Sequence, residues 1–243
     1  MRDSAARLRI SRQHVPGVTH RLAGGELVAD LERRFVTVND DVRVGGKDIN
    51  ILRPRSAEDL ISEADFDRDE RLPYWAELWP SSTILANFVV ADKRPRGRAI
   101  ELGAGVGLVS IAAAIAGHDV TASDYYEDAL AFARANSFRN LGHEIGTALI
   151  DWRAVSPDVP RFDFVLASDV LYESRYAPLV AGVVDRLLAA RGVAYVADPG
   201  RVAANAFADA CIELGLAIRT TATRPYQAGQ VRQTITVYEV TRA

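Results

Sequence analysis

Gly103, Gly105 and Gly107 stand on alternate positions, after the run Ala99-Ile-Glu-Leu102 and before an apolar run opening at Leu108. A strand, a glycine turn and a helix in that order make a cradle for a ligand. Glycine takes positive φ and has no Cβ, so the backbone can press against a bound molecule. The first N–H groups of the helix point toward it. Glu101 lies near the strand's carboxyl end, where a fixed carboxylate suits a cation, or a ligand with an ammonium group or hydroxyls. The spacing departs from the dinucleotide fingerprint G-x-G-x-x-G/A. Counted from Gly103 the sixth position is Leu108, and counted from Gly105 it is Ser110. NAD and FAD are thereby disfavoured.

Further groups fall at corresponding places. Asp124 ends the next strand pattern, 21 residues after Gly103. That is the span of one β-α-β unit, and it sets a carboxylate where it can accept hydrogen bonds from both hydroxyls of a ribose. In isolation it would be an ordinary strand-end acid. Asp151-Trp152 follows a third strand pattern. An acid and an indole there suit an adenine, the acid accepting from the exocyclic amine; core packing is equally open to Trp152. A fourth strand delivers Ser168-Asp169-Val170-Leu171-Tyr172 to the same edge. Upstream, Leu72-Pro-Tyr-Trp-Ala-Glu-Leu-Trp-Pro80 sets Trp75 and Trp79 just before the glycine loop. They suit core packing and the wall of a binding site alike. His14, His20, His118 and His143 show no ligand spacing, so no metal site is expected. No Ser–His or Cys–His arrangement suggests a nucleophile.

The elements that must position these groups alternate. Strands are expected at Ala99–Leu102, His118–Asp124, Ile145–Ile150, Phe162–Ser168 and Arg191–Ala197. Helices are expected at Thr83–Ala91, Leu108–Gly117, Glu127–Arg139, Tyr176–Ala190 and Ala203–Gly215. Phe162–Ser168 is almost continuously apolar, as a strand buried on both faces should be. Two last strands, Leu216–Thr223 and Val231–Val240, flank a polar loop, Arg224–Gln230. So short a loop forces the last strand to run antiparallel. The fold class is α/β with a mostly parallel sheet, whose ligand belongs at the strands' carboxyl ends.

Residues 1 to about 30, with five arginines, read as a solvated arm. Arg34–Val38, Val42–Val44 and Ile49–Leu52 read as a small β-hairpin or meander, with Asn39-Asp40-Asp41 between its first two runs. Ser56–Glu63 reads as a short helix. Residues 1–70 are thus expected to form an N-terminal β/helix extension, and residues 71–243 the main domain.

At 243 residues and 49% hydrophobic content, the chain can bury a full-sized core. A net charge of −3 argues against nucleic acid as the partner. The lone Cys211 cannot form an internal disulfide and suits a buried position in a reducing compartment. The longest apolar run, Leu108 to Gly117, is too short for a membrane span, and no signal-peptide pattern opens the chain. A soluble cytoplasmic protein is expected.

Glu101-Leu-Gly-Ala-Gly-Val-Gly107 resembles motif I of the class I S-adenosylmethionine (SAM) methyltransferases. With Asp124, Asp151-Trp152 and the antiparallel last strand, the resemblance covers residues 71–243. More narrowly, Pro73–Pro80 followed by Asp169-Val-Leu-Tyr172 resembles the seven-β-strand protein-lysine methyltransferases, which carry D-x-x-Y after the fourth strand. Asp198-Pro-Gly-Arg201 is similar to the branch acting on electron-transfer flavoprotein β. Residues 1–70 match no pattern of that family. The resemblance implies a Rossmann-like sheet, SAM as cofactor with S-adenosylhomocysteine as product, and N-methylation of a lysine in a protein substrate. A small-molecule amine is the alternative acceptor, and a SAM-binding module without catalysis is a third reading. It also implies roles: Gly103, Ala104 and Gly105 along the methionine part of SAM, and Glu101 near its ammonium. Asp124 would hold the ribose and Asp151 and Trp152 would face adenine. Trp79 and Ser168 would close the cofactor site, and Asp169 and Tyr172 would meet the acceptor nitrogen.

Overall fold

The computed structural model describes residues 22–60 and 73–243. The expected arm up to residue 21, and the end of the expected helix Ser56–Glu63, lie outside the described residues. Strands β3 (Arg98–Leu102), β4 (Asp119–Asp124), β5 (Gly146–Leu149), β6 (Phe162–Ser168), β7 (Leu188–Asp198), β8 (Leu216–Ala228) and β9 (Val231–Arg242) form one sheet. Its spatial order is β5-β4-β3-β6-β7-β9-β8. β5, β4, β3, β6 and β7 pair in parallel, and β9 runs antiparallel to both β7 and β8. The chain winds outward from β3 through β4 to β5, then crosses to β6 on the other side. The topology therefore reverses between β3 and β6, where the carboxyl ends leave a crevice.

Side chains alternate between two cores, as the two-residue period of a strand requires. Phe164 and Leu166 of β6 face one side, with Val193, Tyr195 and Ala197 of β7. Val165 and Ala167 face the other, with Ile100, Leu102, Ala194 and Val196. The first core is covered by α2 (Pro80–Ala91), α3 (Leu108–Ile115) and α4 (Glu127–Leu141). The second is covered by α5 (Tyr176–Leu187) and α6 (Ala203–Glu213).

Five local expectations are revised. The stretch read as the end of an arm holds helix α1 (Gly24–Arg34), with Leu27 and Leu31 buried on one face. It docks on α4: Arg134 binds the Leu22 carbonyl and Glu144, and Glu144 accepts the Gly24 N–H. Asn39-Asp40-Asp41 is not a break but lies inside β1 (Thr37–Val44), paired with Leu52, Ile51 and Asn50 of β2 (Lys47–Pro54). The hairpin turn is Gly45-Gly46, both at positive φ, and a Cβ on Gly45 would lie 2.4 Å from Val90 of α2. Arg224–Gln230 is largely strand: Arg224 pairs with Ile235 and Tyr226 with Gln233, so the β8–β9 turn tightens to Gly229-Gln230. The helix expected through Ala190 stops at Leu187, because Leu188 is already extended and pairs with Phe162. Of the expected helix Ser56–Glu63, a single 3₁₀ turn at Glu58–Leu60 is described.

Three side-chain amides fasten the hairpin to the α/β layers, Asn87 of α2 and Asn136 and Asn140 of α4. Asn136 of α4 is fully buried; its Oδ1 accepts the Leu52 N–H at 2.8 Å, and its Nδ2 donates to the carbonyls of Leu52 at 2.8 Å and Val106 at 2.9 Å. Asn136→Ala would strand these backbone groups away from water. We expect it to lower the urea-unfolding free energy by about 2–4 kcal/mol; a loss under about 0.5 kcal/mol would contradict this role.

Candidate functional site

The site is built on the tip of β3. Gly103, Gly105 and Gly107 all have positive φ, of 64°, 51° and 91°. A Cβ on Gly105 would stand 2.9 Å from the Trp75 carbonyl oxygen, and one on Gly107 2.9 Å from the Ala133 Cα. Gly103 is different: its added Cβ would meet Val170 and Trp152 at 3.3 and 3.4 Å. Gly105 and Gly107 let backbone approach backbone, whereas Gly103 keeps the cavity wall low.

Two buried carboxylates hold this turn. Glu101 Oε2 accepts the Ser110 N–H at 2.8 Å and the Ser110 hydroxyl at 2.5 Å, tying β3 to the first turn of α3. Asp124 Oδ2 accepts the Gly105 N–H at 2.9 Å, and its Oδ1 accepts the Tyr126 N–H at 3.1 Å. The Ala104 N–H donates to the Ser123 carbonyl. Burial pushes Glu101 from its ordinary value of 4.5 up to about 8, against the pull of the Ser110 bonds and with a smaller push from Asp124. Burial also raises Asp124, opposed by its backbone hydrogen bonds. No cation is among the groups that shift either acid.

An aromatic wall faces the turn. Trp79 donates its indole N–H to the Tyr74 carbonyl at 3.0 Å and meets the Tyr74 ring edge-on. Tyr74 packs on Tyr172, Tyr172 on Tyr176, and Tyr176 on Trp152, with centroid distances of 5.3, 4.8 and 6.0 Å. Trp75 does both things expected of the tryptophans: it lines the cavity and packs on Phe35 and Phe132. Asp151 is clasped by Arg153, with Oδ2 accepting from Nη2 at 2.7 Å.

Asp169 follows β6 with φ of 55°, the one non-glycine residue at positive φ among the described residues. Its N–H donates to Ala197, its Oδ2 accepts the Ser81 N–H at 3.3 Å, and its Oδ1 accepts from Arg201 Nη2 at 2.8 Å. Strained backbone of this kind persists where neighbours over-determine it, often at functional sites.

Trp79, Glu101, Gly103, Ala104, Gly105, Asp124, Asp151, Trp152, Ser168, Asp169 and Tyr172 all line one cavity of about 280 Å³. That is close to the lower limit, about 300 Å³, for pockets that enclose a cofactor-sized molecule. The cavity holds carboxylates toward β3 and β4, aromatic rings on the facing wall, and two arginines, Arg153 on Asp151 and Arg201 beside Asp169. Sequence reasoning passed over Arg201 and Ser110 as site residues. Arg201 was visible only as the end of Asp198-Pro-Gly-Arg201; adjacency of β6 and β7 is what sets it beside Asp169. Among the described residues no cluster of histidine, cysteine and acidic side chains could hold a metal ion, and no helix is long and apolar enough to cross a membrane.

A model of the lysine methyltransferase family matches residues 67–207, more than half of the chain. A histone-arginine methyltransferase of Xenopus laevis, METTL23, is 29% identical over 147 residues, covering 56% of this chain and 61% of that protein. The EEF1A lysine methyltransferase 3 of Mus musculus is 32% identical over 136 residues, covering 54% of this chain and 58% of that one. The chain thus spans about three fifths of the length of these two curated relatives. The magnesium protoporphyrin IX methyltransferase of Synechocystis PCC 6803, solved with bound SAM, shares the fold at a TM-score of 0.54 and 19% identity, covering 76% of this chain and 94% of that chain.

The raised Glu101 gives a signed expectation for the protein without added ligand. Its folded form holds a proton that the unfolded form releases, so stability falls as pH rises from about 4.5 to about 8 and then levels. Glu101→Gln removes this component. The variant should lose less unfolding free energy than wild type between those pH values, by an amount on the order of a few kcal/mol. Parallel pH profiles in urea denaturation would contradict the burial of an unbalanced acid.

Proposed function

The chain belongs to the lysine methyltransferase family, and we propose that it transfers the methyl group of SAM to the side-chain amine of a lysine in a protein substrate. The observation that carries the proposal is the meeting of two chemistries in one cavity: a glycine turn flanked by Glu101 and Asp124, and Asp169 with Tyr172 on the wall beside it.

The residues present fit SAM. Glu101 and Asp124 are buried acids with no cation of the chain among the groups that shift them, which suits a ligand ammonium and ribose hydroxyls. Gly103 leaves open the space that a Cβ would fill against Trp152. On this reading Gly103, Ala104 and Gly105 line the methionine part, Asp151 and Trp152 face adenine, and Trp79 and Ser168 close the site. When bound, SAM supplies an electrophilic methyl carbon on a sulfonium centre. The chain's own task is to present a nitrogen lone pair to it. A free lysine has a pKa of about 10.4, so few side chains carry that lone pair at neutral pH. Asp169 accepts a hydrogen bond from the amine and fixes its direction, and Tyr172 packs beside it. Holding the reactants in line converts an encounter into a positioned contact.

An extension over residues 1–70 and a methyltransferase unit over residues 71–243 belong to the same proposal, as does a cytoplasmic location. A family match that starts at residue 67 supports the division. Neither a nucleic-acid substrate nor a membrane partner is part of it. The name of the Xenopus relative brings in a second reading, a guanidinium acceptor.

Tritiated-SAM labelling of a lysate from cells lacking the protein tests the acceptor. The expected result is a labelled protein band that yields methyl-lysine on hydrolysis. Methyl-arginine would transfer the case to the second reading, and label confined to small molecules would contradict a protein substrate. On the labelled protein, Asp169→Ala should lower turnover at least about 100-fold, with the affinity for SAM kept within about threefold. Loss of SAM binding in a folded Asp169→Ala variant would reassign the residue to the cofactor.

A further inference from the structure

The Asp169–Arg201 pair is more elaborate than a carboxylate set out to receive an amine. Arg201 donates to Asp169 Oδ1 twice, from Nη2 at 2.8 Å and from Nε at 3.2 Å. The turn after β7 is built to deliver it. Asp198 Oδ1 accepts the N–H groups of Gly200 and Arg201 at 2.8 and 2.7 Å, and Gly200 takes φ of 84°. The guanidinium carbon then lies 5.6 Å from the centre of the Trp79 ring. The Asp169 side chain is 4% exposed and that of Arg201 30%, so the cation is the more accessible partner on the cavity wall.

A lysine amine brought to Asp169 would feel this arrangement. A lone carboxylate within about 4–6 Å favours the ammonium form by about 1–3 pKa units. Such a site would bind the substrate well in the form that has no lone pair to offer. A guanidinium on the same carboxylate cancels that attraction and repels a second cation, while the carboxylate keeps lone pairs for an amine N–H. We propose that Arg201 is a positioning residue that balances the charge of Asp169, so that the acceptor site selects the neutral amine over the ammonium. The inference rests on the lysine methyltransferase reading above.

The other charges that face this corner do not replace Arg201. Asp198 is fully buried and is pushed toward its neutral form chiefly by burial. Glu77 is in contact with Arg53 at 3.3 Å, and Glu173 is bound by Arg175 at 2.7 Å. On the cofactor side, burial raises Glu101 and Asp124, and Asp151 is clasped by Arg153. With Arg201 present, Asp169 is balanced; without it, the corner is net negative and holds the ammonium.

Calorimetric titration of n-butylamine into the whole chain saturated with S-adenosylhomocysteine reads the selection without turnover. Binding of the neutral form alone makes the apparent affinity rise about tenfold per pH unit, as long as pH stays below an amine pKa near 10.4. Between about pH 7 and about pH 9.5, wild type is expected to show that slope. Arg201→Lys, which retains a cation, should keep it. Arg201→Gln should lose it, its affinity changing less than about twofold over the range. Equal slopes in wild type and Arg201→Gln would overturn the inference and leave the lysine reading in place. A flat wild-type profile would overturn it without any variant. Failure of wild type to bind n-butylamine at every pH would overturn the amine-acceptor reading, and the inference with it.

Discussion

Two carboxylates buried at neighbouring strand tips hold the glycine turn, and the cavity takes its shape from that restraint. Glu101 binds the start of α3 through Ser110, and Asp124 binds Gly105 from the adjoining strand. Both are acceptors for N–H groups that a helix start and a tight turn would otherwise leave unpaired. Without them, three alternate glycines at positive φ would have many conformations to choose from. The cost is two acids kept from water. Their raised proton affinity records that cost, and a ligand with an ammonium group and hydroxyls would offset it.

The opposite wall depends on the N-terminal segments. Phe35, at the end of α1, packs edge-on against Trp75 and Phe132. Trp75 in turn sets its carbonyl over Gly105. The hairpin is fixed at its turn by Gly45, which donates to Asn87 of α2 and lies against Val90, and in its second strand by Asn136. α2 begins at Pro80 and offers the Ser81 N–H to Asp169. Packing of α1 and the hairpin, placement of the aromatic segment and orientation of Asp169 are therefore linked by consecutive contacts.

Much of the site was legible because it rests on local chemistry. Glycine spacing announced the β3 turn, and strand periodicity put Glu101, Asp124, Asp151 and Asp169 at the carboxyl ends. What escaped was set by tertiary neighbours. α1 opens with Gly24-Gly25, which reads as a breaker, and its apolar face is little more than Leu27 and Leu31. Asn39-Asp40-Asp41 is poor strand material, yet it is held in register by β2. Arg224–Gln230 reads as a polar loop, but its Pro225 lies in β8 at the edge of the sheet, where a proline needs no ladder partner. The bond from Arg201 to Asp169 depends on β6 and β7 being adjacent and on a turn shaped by Asp198, neither of which a linear spacing reveals.

The restraint on the glycine turn matters to function only if the cradle receives SAM. Calorimetric titration of the purified chain with SAM, and in parallel with NADH, tests this most directly. One equivalent of SAM is expected to bind, NADH is expected not to, and Asp124→Ala is expected to weaken SAM at least about tenfold, roughly the loss of one strong charge-assisted contact. A folded wild-type protein that binds no SAM, or that takes NADH in its place, would contradict the assignment of this cavity.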